Sequence, residues 1–208
     1  MITDINQLDL NKVYSYADYL SWVFDERVEL IRGKIMKMSP APSRRHQGIS
    51  TQLQGLLWLF LQEKKYGLYS APFDVRLPIS EDLKISKKYK KNAKKLPDGK
   101  IMTVVQPDLT VVCDPEKLDD RGCIGVPDLV VEILYPSNNS IELSDKFEIY
   151  QAAGIKEYWM VYTDYEYVII YSLHKGAYIG SRPYTTSEII TSKVLKGLEI
   201  KVSDIFKE

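Results

Sequence analysis

GVPDLVVEILYPSNN, residues 125–139, contains the stretch on which the fold turns. Leu129 to Leu134 is apolar except at Glu132 and rich in β-branched residues, the pattern of a buried strand. An ionised acid inside an apolar strand costs several kcal/mol unless it is paired, metal-bound or exposed on an edge. Glu132 therefore asks for a partner. Side chains alternate along a strand, so Asp128, Val130, Glu132 and Leu134 share one face and Leu129, Val131 and Ile133 the other. Four residues at about 3.3 Å each separate Asp128 from Glu132 by roughly 13 Å. Ligands of one hard cation each sit at about 2.0–2.6 Å from it, so the two acids do not serve as direct ligands of the same ion.

The nearer partner comes from a neighbouring strand. QPDLTVV, residues 106–112, supplies Asp108, and an antiparallel pairing with 127–134 brings Asp108 toward Glu132. Asp128, following Pro127 at the start of the strand, also fits a plain turn or capping residue.

Working outward, SYADYLSWVFD (15–25) predicts a short helix and RVELIRGKIMKMSP (27–40) a hairpin turning at Arg32-Gly33. From His46, the spacing of Ile49, Leu53, Leu56, Leu57, Phe60 and Leu61 predicts a long helix closed by Gly67. Strands are expected over 68–79, 101–114, 157–164 and 165–173, a helix from about Ile141 to Ala153, and a last strand near VLKGLEIKVSDIF. The order predicts one α/β domain over 1–208, with a core of about 27–173.

Composition bounds the function. The chain has 208 residues, 45% hydrophobic, enough for one sizeable core. No run approaches the roughly 18 apolar residues of a membrane span, and MITDINQLDLNK lacks a signal-peptide layout, so a cytoplasmic protein with no membrane partner is expected. Two cysteines and two histidines form neither a disulfide framework nor a zinc pattern. Net charge is zero, yet residues 84–100 carry eight lysines against one aspartate. Lys87, Lys88, Lys90, Lys91, Lys94 and Lys95 could follow a phosphate backbone, as could Arg44 and Arg45 at a helix start; a solvated loop is the competing reading.

VELIRGKI, SPAPSRRHQGIS, APFDVRL, QPDLTVVCD, VPDLVVEILYPSNN and SDKFEIYQAAGIKEYWMV occur in that order over about residues 15–173. The series resembles the Uma2 family of endonucleases within the PD-(D/E)XK nuclease superfamily. That resemblance implies a restriction-endonuclease-like mixed sheet flanked by helices, with an N-terminal helix and hairpin extension and a C-terminal β-hairpin. It also implies DNA as substrate and Mg²⁺, with Mn²⁺ as substitute, as cofactor. By position, Asp108 and Glu132 correspond to the metal-binding acids. The lysine expected two residues after Glu132 is replaced by Leu134, and Lys146 on the following helix is the candidate substitute, with Tyr150 one turn on; a solvated helix lysine is the alternative. Glu29 corresponds to an acid that could reach the metal and Asp74 to a supporting one, against readings as a hairpin-surface and a strand-edge acid. His46 could bond an active-site group or cap its helix. Tyr135 stands where the family pattern has serine.

Hard acids holding a divalent ion suit phosphodiester hydrolysis, and a nearby lysine can neutralise charge from any element that delivers its ammonium. Cutting both strands would favour a homodimer. The alternative is a nucleic-acid-binding or interaction module on the same fold without efficient cleavage.

Overall fold

A computed structural model describes residues 1–38, 42–79, 96–135 and 140–207. The helices are α1 (Tyr16–Tyr19), α2 (Arg44–Leu61), α3 (Ser140–Ala153) and α4 (Val202–Ile205). The strands are β1 (Val28–Ile31), β2 (Lys34–Lys37), β3 (Gly67–Ser70), β4 (Val75–Leu77), β5 (Thr103–Val105), β6 (Leu109–Val112) and β7 (Leu118–Asp119). They continue with β8 (Gly122–Ile124), β9 (Leu129–Leu134), β10 (Glu157–Tyr162), β11 (Tyr167–His174), β12 (Ala177–Gly180), β13 (Ile189–Thr191) and β14 (Glu199–Lys201).

The chain forms two compact units. One comprises Met1–Pro40, Phe73–Gln106 and Lys117–Val126, the other Ala41–Pro72, Pro107–Glu116 and Pro127–Glu208. The first holds a six-stranded sheet in the order β2-β1-β5-β4-β8-β7. Its core gathers Ile5, Leu8, Tyr14, Val28, Leu30, Ile101, Val104 and Ile124. The hairpin turn falls at Arg32 and Gly33, whose φ values of 51° and 78° are the left-handed pair that a tight turn requires. The β1–β2 hairpin enters the sheet through the pairing of β1 with β5.

The second unit holds a six-stranded sheet in the order β12-β11-β10-β9-β6-β3. β9 runs parallel to β10, and the crossover between them contains α3. β6 lies antiparallel to β9, and β3 to β6. All six residues of β9 are buried. On one face Leu129, Val131 and Ile133 join Leu109, Val111, Trp159, Val161 and the α2 residues Ile49, Leu53, Leu57 and Leu61 in a single core. Each such side chain contributes about 1.5–3 kcal/mol when removed from water. Glu132 looks to the opposite face, which α3 covers with aromatic contacts: Tyr150 packs edge-on to Tyr158 at 5.1 Å and Phe147 to Tyr171 at 5.0 Å. β13 and β14 form the C-terminal antiparallel pair.

Four expectations need adjustment. The first helix ends at Tyr19 after a Ser15–Asp18 capping box, and the chain turns away so that Val23 donates to the Ile2 carbonyl at 2.7 Å. α2 ends at Leu61, because the exposed charged run after it has no face to bury. Gly67 instead opens β3 opposite Val112, where an added Cβ would collide with the Tyr69 ring. The strands expected over 68–79 and 101–114 are each divided, at Ala71-Pro72 and Gln106-Pro107. Proline has no N–H for a ladder, and in both cases the chain leaves one sheet for the other there.

Candidate active site

The second unit brings Asp108 and Glu132 together. Extending the β6–β9 register, in which Leu109 faces Val131, by one residue sets Asp108 opposite Glu132. Directly opposed side chains in an antiparallel pair have Cβ atoms about 4.5–5.5 Å apart. Asp108 Oδ2 accepts the Ile133 backbone N–H at 2.7 Å, which anchors the carboxylate to the strand that carries Glu132. Asp108 Oδ1 lies 3.1 Å from His46 Nε2.

Glu132 is only 7% exposed and is met from α3. Lys146 Nζ donates to its Oε1 at 3.1 Å and the Tyr150 hydroxyl to the same oxygen at 2.7 Å. Lys146 itself is 4% exposed, so the solvated-lysine alternative does not hold. Lys146 and Tyr150 are four residues apart, one turn of one helical face, which is why both arrive at one carboxylate. The negative charge also pushes the phenol of Tyr158 further up, although burial is the larger cause of its raised pKa. A buried charge survives here because an opposite charge and a hydroxyl compensate it.

His46 occupies the first turn of α2. Its N–H donates to the Ser43 side chain at 3.3 Å and to the Tyr135 hydroxyl at 3.1 Å, and its ring stacks on Tyr135 with centroids 5.7 Å apart. Tyr135, read from sequence only as a departure from the family pattern, thus helps to cap α2 and seats the histidine. Nothing but that departure singled it out. His46 Nδ1 is buried with no hydrogen-bond partner among the described residues.

Other candidates have different surroundings. Asp128 is 3% exposed, accepts the Cys113 N–H at 2.8 Å and pairs with Lys156 at 2.6 Å, tying the start of β9 to the end of β6. The hydrogen bond to Asp128 is the main reason that the Lys156 pKa is raised. Glu29 and Asp74 belong to the other unit. Glu29, 1% exposed rather than a surface acid, accepts the Gln106 N–H at 2.7 Å, and Asp74 accepts from the Gln106 side chain at 2.8 Å. Burial raises the Asp74 pKa. Gln106 links the two acids and also accepts from Arg27 at 2.8 Å, a role invisible in its sequence neighbourhood. Arg44 is exposed, while Arg45 Nη2 donates to the Thr163 carbonyl at 3.0 Å and to Glu166 at 2.7 Å. Lys87, Lys88, Lys90, Lys91, Lys94 and Lys95 lie outside the described residues.

Among the described residues no group of three or more His, Cys, Asp or Glu side chains is arranged to hold a metal. Two carboxylates on adjacent strands nonetheless fit a small hard cation such as Mg²⁺, which commonly takes one or two carboxylates and completes its shell with water and phosphate oxygens. No helix among the described residues is long and apolar enough to cross a membrane.

A crystal structure of a putative nuclease belonging to DUF820 from Anabaena variabilis ATCC 29413 aligns with a TM-score of 0.66 over 92% of this chain and 97% of that one. At 15% identity the likeness establishes a shared mixed α/β fold. No curated protein matches the chain. Residues 16–203 match the family model Uma2, described as "Putative restriction endonuclease", and the chain therefore belongs to the Uma2 family.

Proposed function

We propose that this protein is a Mg²⁺-dependent DNA endonuclease, with Mn²⁺ as a working substitute, in which Asp108 and Glu132 hold the ion. The observation that carries the reading is a carboxylate pair opposed across β6 and β9 with a buried ammonium, Lys146, 3.1 Å from one of its oxygens. When bound, the ion would lower the pKa of a coordinated water and stabilise charge on the phosphate oxygens. Lys146 supplies the positive charge that Leu134 cannot, delivered from a helix rather than from the strand. Tyr150 fixes the Glu132 carboxylate through a second bond to the same oxygen, and His46 with the Ile133 N–H orients Asp108. Arg44, exposed at the start of α2, and the lysines of 84–100 contribute phosphate contacts. Cutting both strands of a duplex takes two centres, so a homodimer is part of the proposal.

A non-cleaving, nucleic-acid-binding module is the second reading, carried by two departures from the family pattern: Leu134 stands where a lysine is expected and Tyr135 where a serine is. A single assay separates the readings. Plasmid and single-stranded DNA are incubated with Mg²⁺ or Mn²⁺ and wild type, Asp108→Ala, Glu132→Ala or Lys146→Ala. Metal-dependent cleavage by the wild type that all three substitutions abolish supports the nuclease; equal activity in all four proteins removes the assignment.

A further inference from the structure

On the Glu132 face of the same sheet, the turn from β10 to β11 carries a run of tyrosines. Tyr162 and Tyr167 are cross-strand partners whose rings stack with centroids 4.5 Å apart and an interplanar angle of 27°. Tyr165, in the turn between them, stacks on Tyr167 at 6.3 Å and 25° while remaining 75% exposed. A cross-strand tyrosine pair alone is a common way to stabilise a hairpin. The third ring stabilises little in that manner, because most of its surface stays in water.

The position of this ladder points to its use. β10 lies parallel to β9 with Met160 beside Glu132 and Tyr162 beside Leu134, so Tyr162 shares the Glu132 face, one strand across and two residues along. At about 4.8 Å between strands and 3.3 Å per residue, its Cα sits about 8 Å from that of Glu132, and the Cα of Tyr167, one strand further, about 12 Å. Arg45 reaches the same turn from α2, where its guanidinium is paired with Glu166 at 2.7 Å, so recognition by the ladder rests on its rings. Unpaired bases, whose π-faces stack on aromatic side chains, match the exposed face of this ladder. A fully paired duplex does not, since its bases are already stacked.

We propose that Tyr165, Tyr167 and Tyr162 form a base-stacking platform that binds unpaired nucleotides of single-stranded DNA beside the Asp108–Glu132 centre. The proposal rests on the nuclease reading for what happens to the strand, but the binding itself requires no cleavage. Stacking is tolerant of sequence because every base has a π-face, so the platform selects strand state rather than sequence.

The test uses the full chain in EDTA and follows the fluorescence anisotropy of labelled oligo-dT, an abasic deoxyribose-phosphate chain of equal length, and a duplex. Wild type is expected to bind oligo-dT more tightly than the abasic chain. Tyr165→Ala should weaken oligo-dT binding by about fivefold or more, the low end for one lost stacking partner, and largely remove the preference over the abasic chain. Tyr165→Trp should retain it, and Tyr167→Leu should reproduce the loss at the second ring. A wild type indifferent to the presence of bases, or a Tyr165→Ala protein with an undiminished preference, overturns the platform. Because no metal is present, absent nuclease activity with an intact base preference removes the cleavage proposal alone, and the opposite pattern removes this one alone.

Discussion

Replacing Lys146 with methionine deletes the ammonium while keeping most of the aliphatic volume, and it leaves Glu132 facing α3 without its cation. With side-chain exposures of 5% for Lys146 and 9% for Glu132, the pair falls in the buried class, for which removing one partner costs about 3–5 kcal/mol. The Tyr150 hydroxyl still donates at 2.7 Å, and a hydrogen bond to a charged group offsets about 1.5–3 kcal/mol of such a loss. The expected net destabilisation is therefore about 2 kcal/mol, the centre of a range from about 0 to 3.5 kcal/mol. Glu132→Gln removes the carboxylate charge that faces Lys146 and should cost a similar amount. The double variant leaves two neutral, similarly shaped groups and should recover much of the loss, with an interaction term of about 2 kcal/mol. Urea unfolding of the four proteins supplies the cycle. Additive effects within about 0.5 kcal/mol would mean that the two groups do not sense each other, and the role proposed for Lys146 would fail with the pairing. If the pairing holds, cleavage by Lys146→Met should fall by about 10²–10³, the usual cost of one preorganised charge-stabilising donor.

Two further perturbations examine the surroundings. Asp74 has a folded pKa raised by burial above its ordinary 3.8, so the folded state binds more protons than the unfolded chain in that window; stability should fall as pH rises from about 3.8 through the raised value and then level off. Asp74→Asn should remove this slope, and urea midpoints measured across that pH range would show it; parallel curves for the two proteins would refute the burial argument. Asp128→Asn loses the charge pairing with Lys156 and weakens the bond from the Cys113 N–H, for a cost of about 1–2 kcal/mol once the 65% exposure of the lysine is discounted. Because the described bonds of Asp128 go to the Cys113 N–H and to Lys156, cleavage per folded molecule should persist, and loss of activity at unchanged stability would return Asp128 to the catalytic machinery.

Much of the fold could be read from local chemistry. Alternation along LVVEIL put Glu132 on the face opposite Leu129, Val131 and Ile133; the apolar spacing after His46 announced α2; and Arg32-Gly33 marked a turn whose positive φ values only a few residue types adopt readily. These features depend on neighbours within one strand, turn or helix. The proline breaks were visible as residues, but not the consequence that the halves of each expected strand would join different sheets, because that is decided by which edges find partners.

The sequence by itself also determined that Glu132 needed compensation and that Leu134 could not provide it. What answers that need is set by packing. α3 lies on the Glu132 face in the one rotation that turns Lys146 and Tyr150 together onto Oε1, and the end of β9 delivers Tyr135 to the start of α2. Gln106 meets Glu29 and Asp74, and the tyrosine ladder of the β10–β11 turn forms on the same face as Glu132, by the same means. Such meetings join residues up to 89 positions apart, as for His46 and Tyr135. Periodicity carries no information at that range: it fixes the face a side chain takes, while tertiary structure fixes what stands opposite.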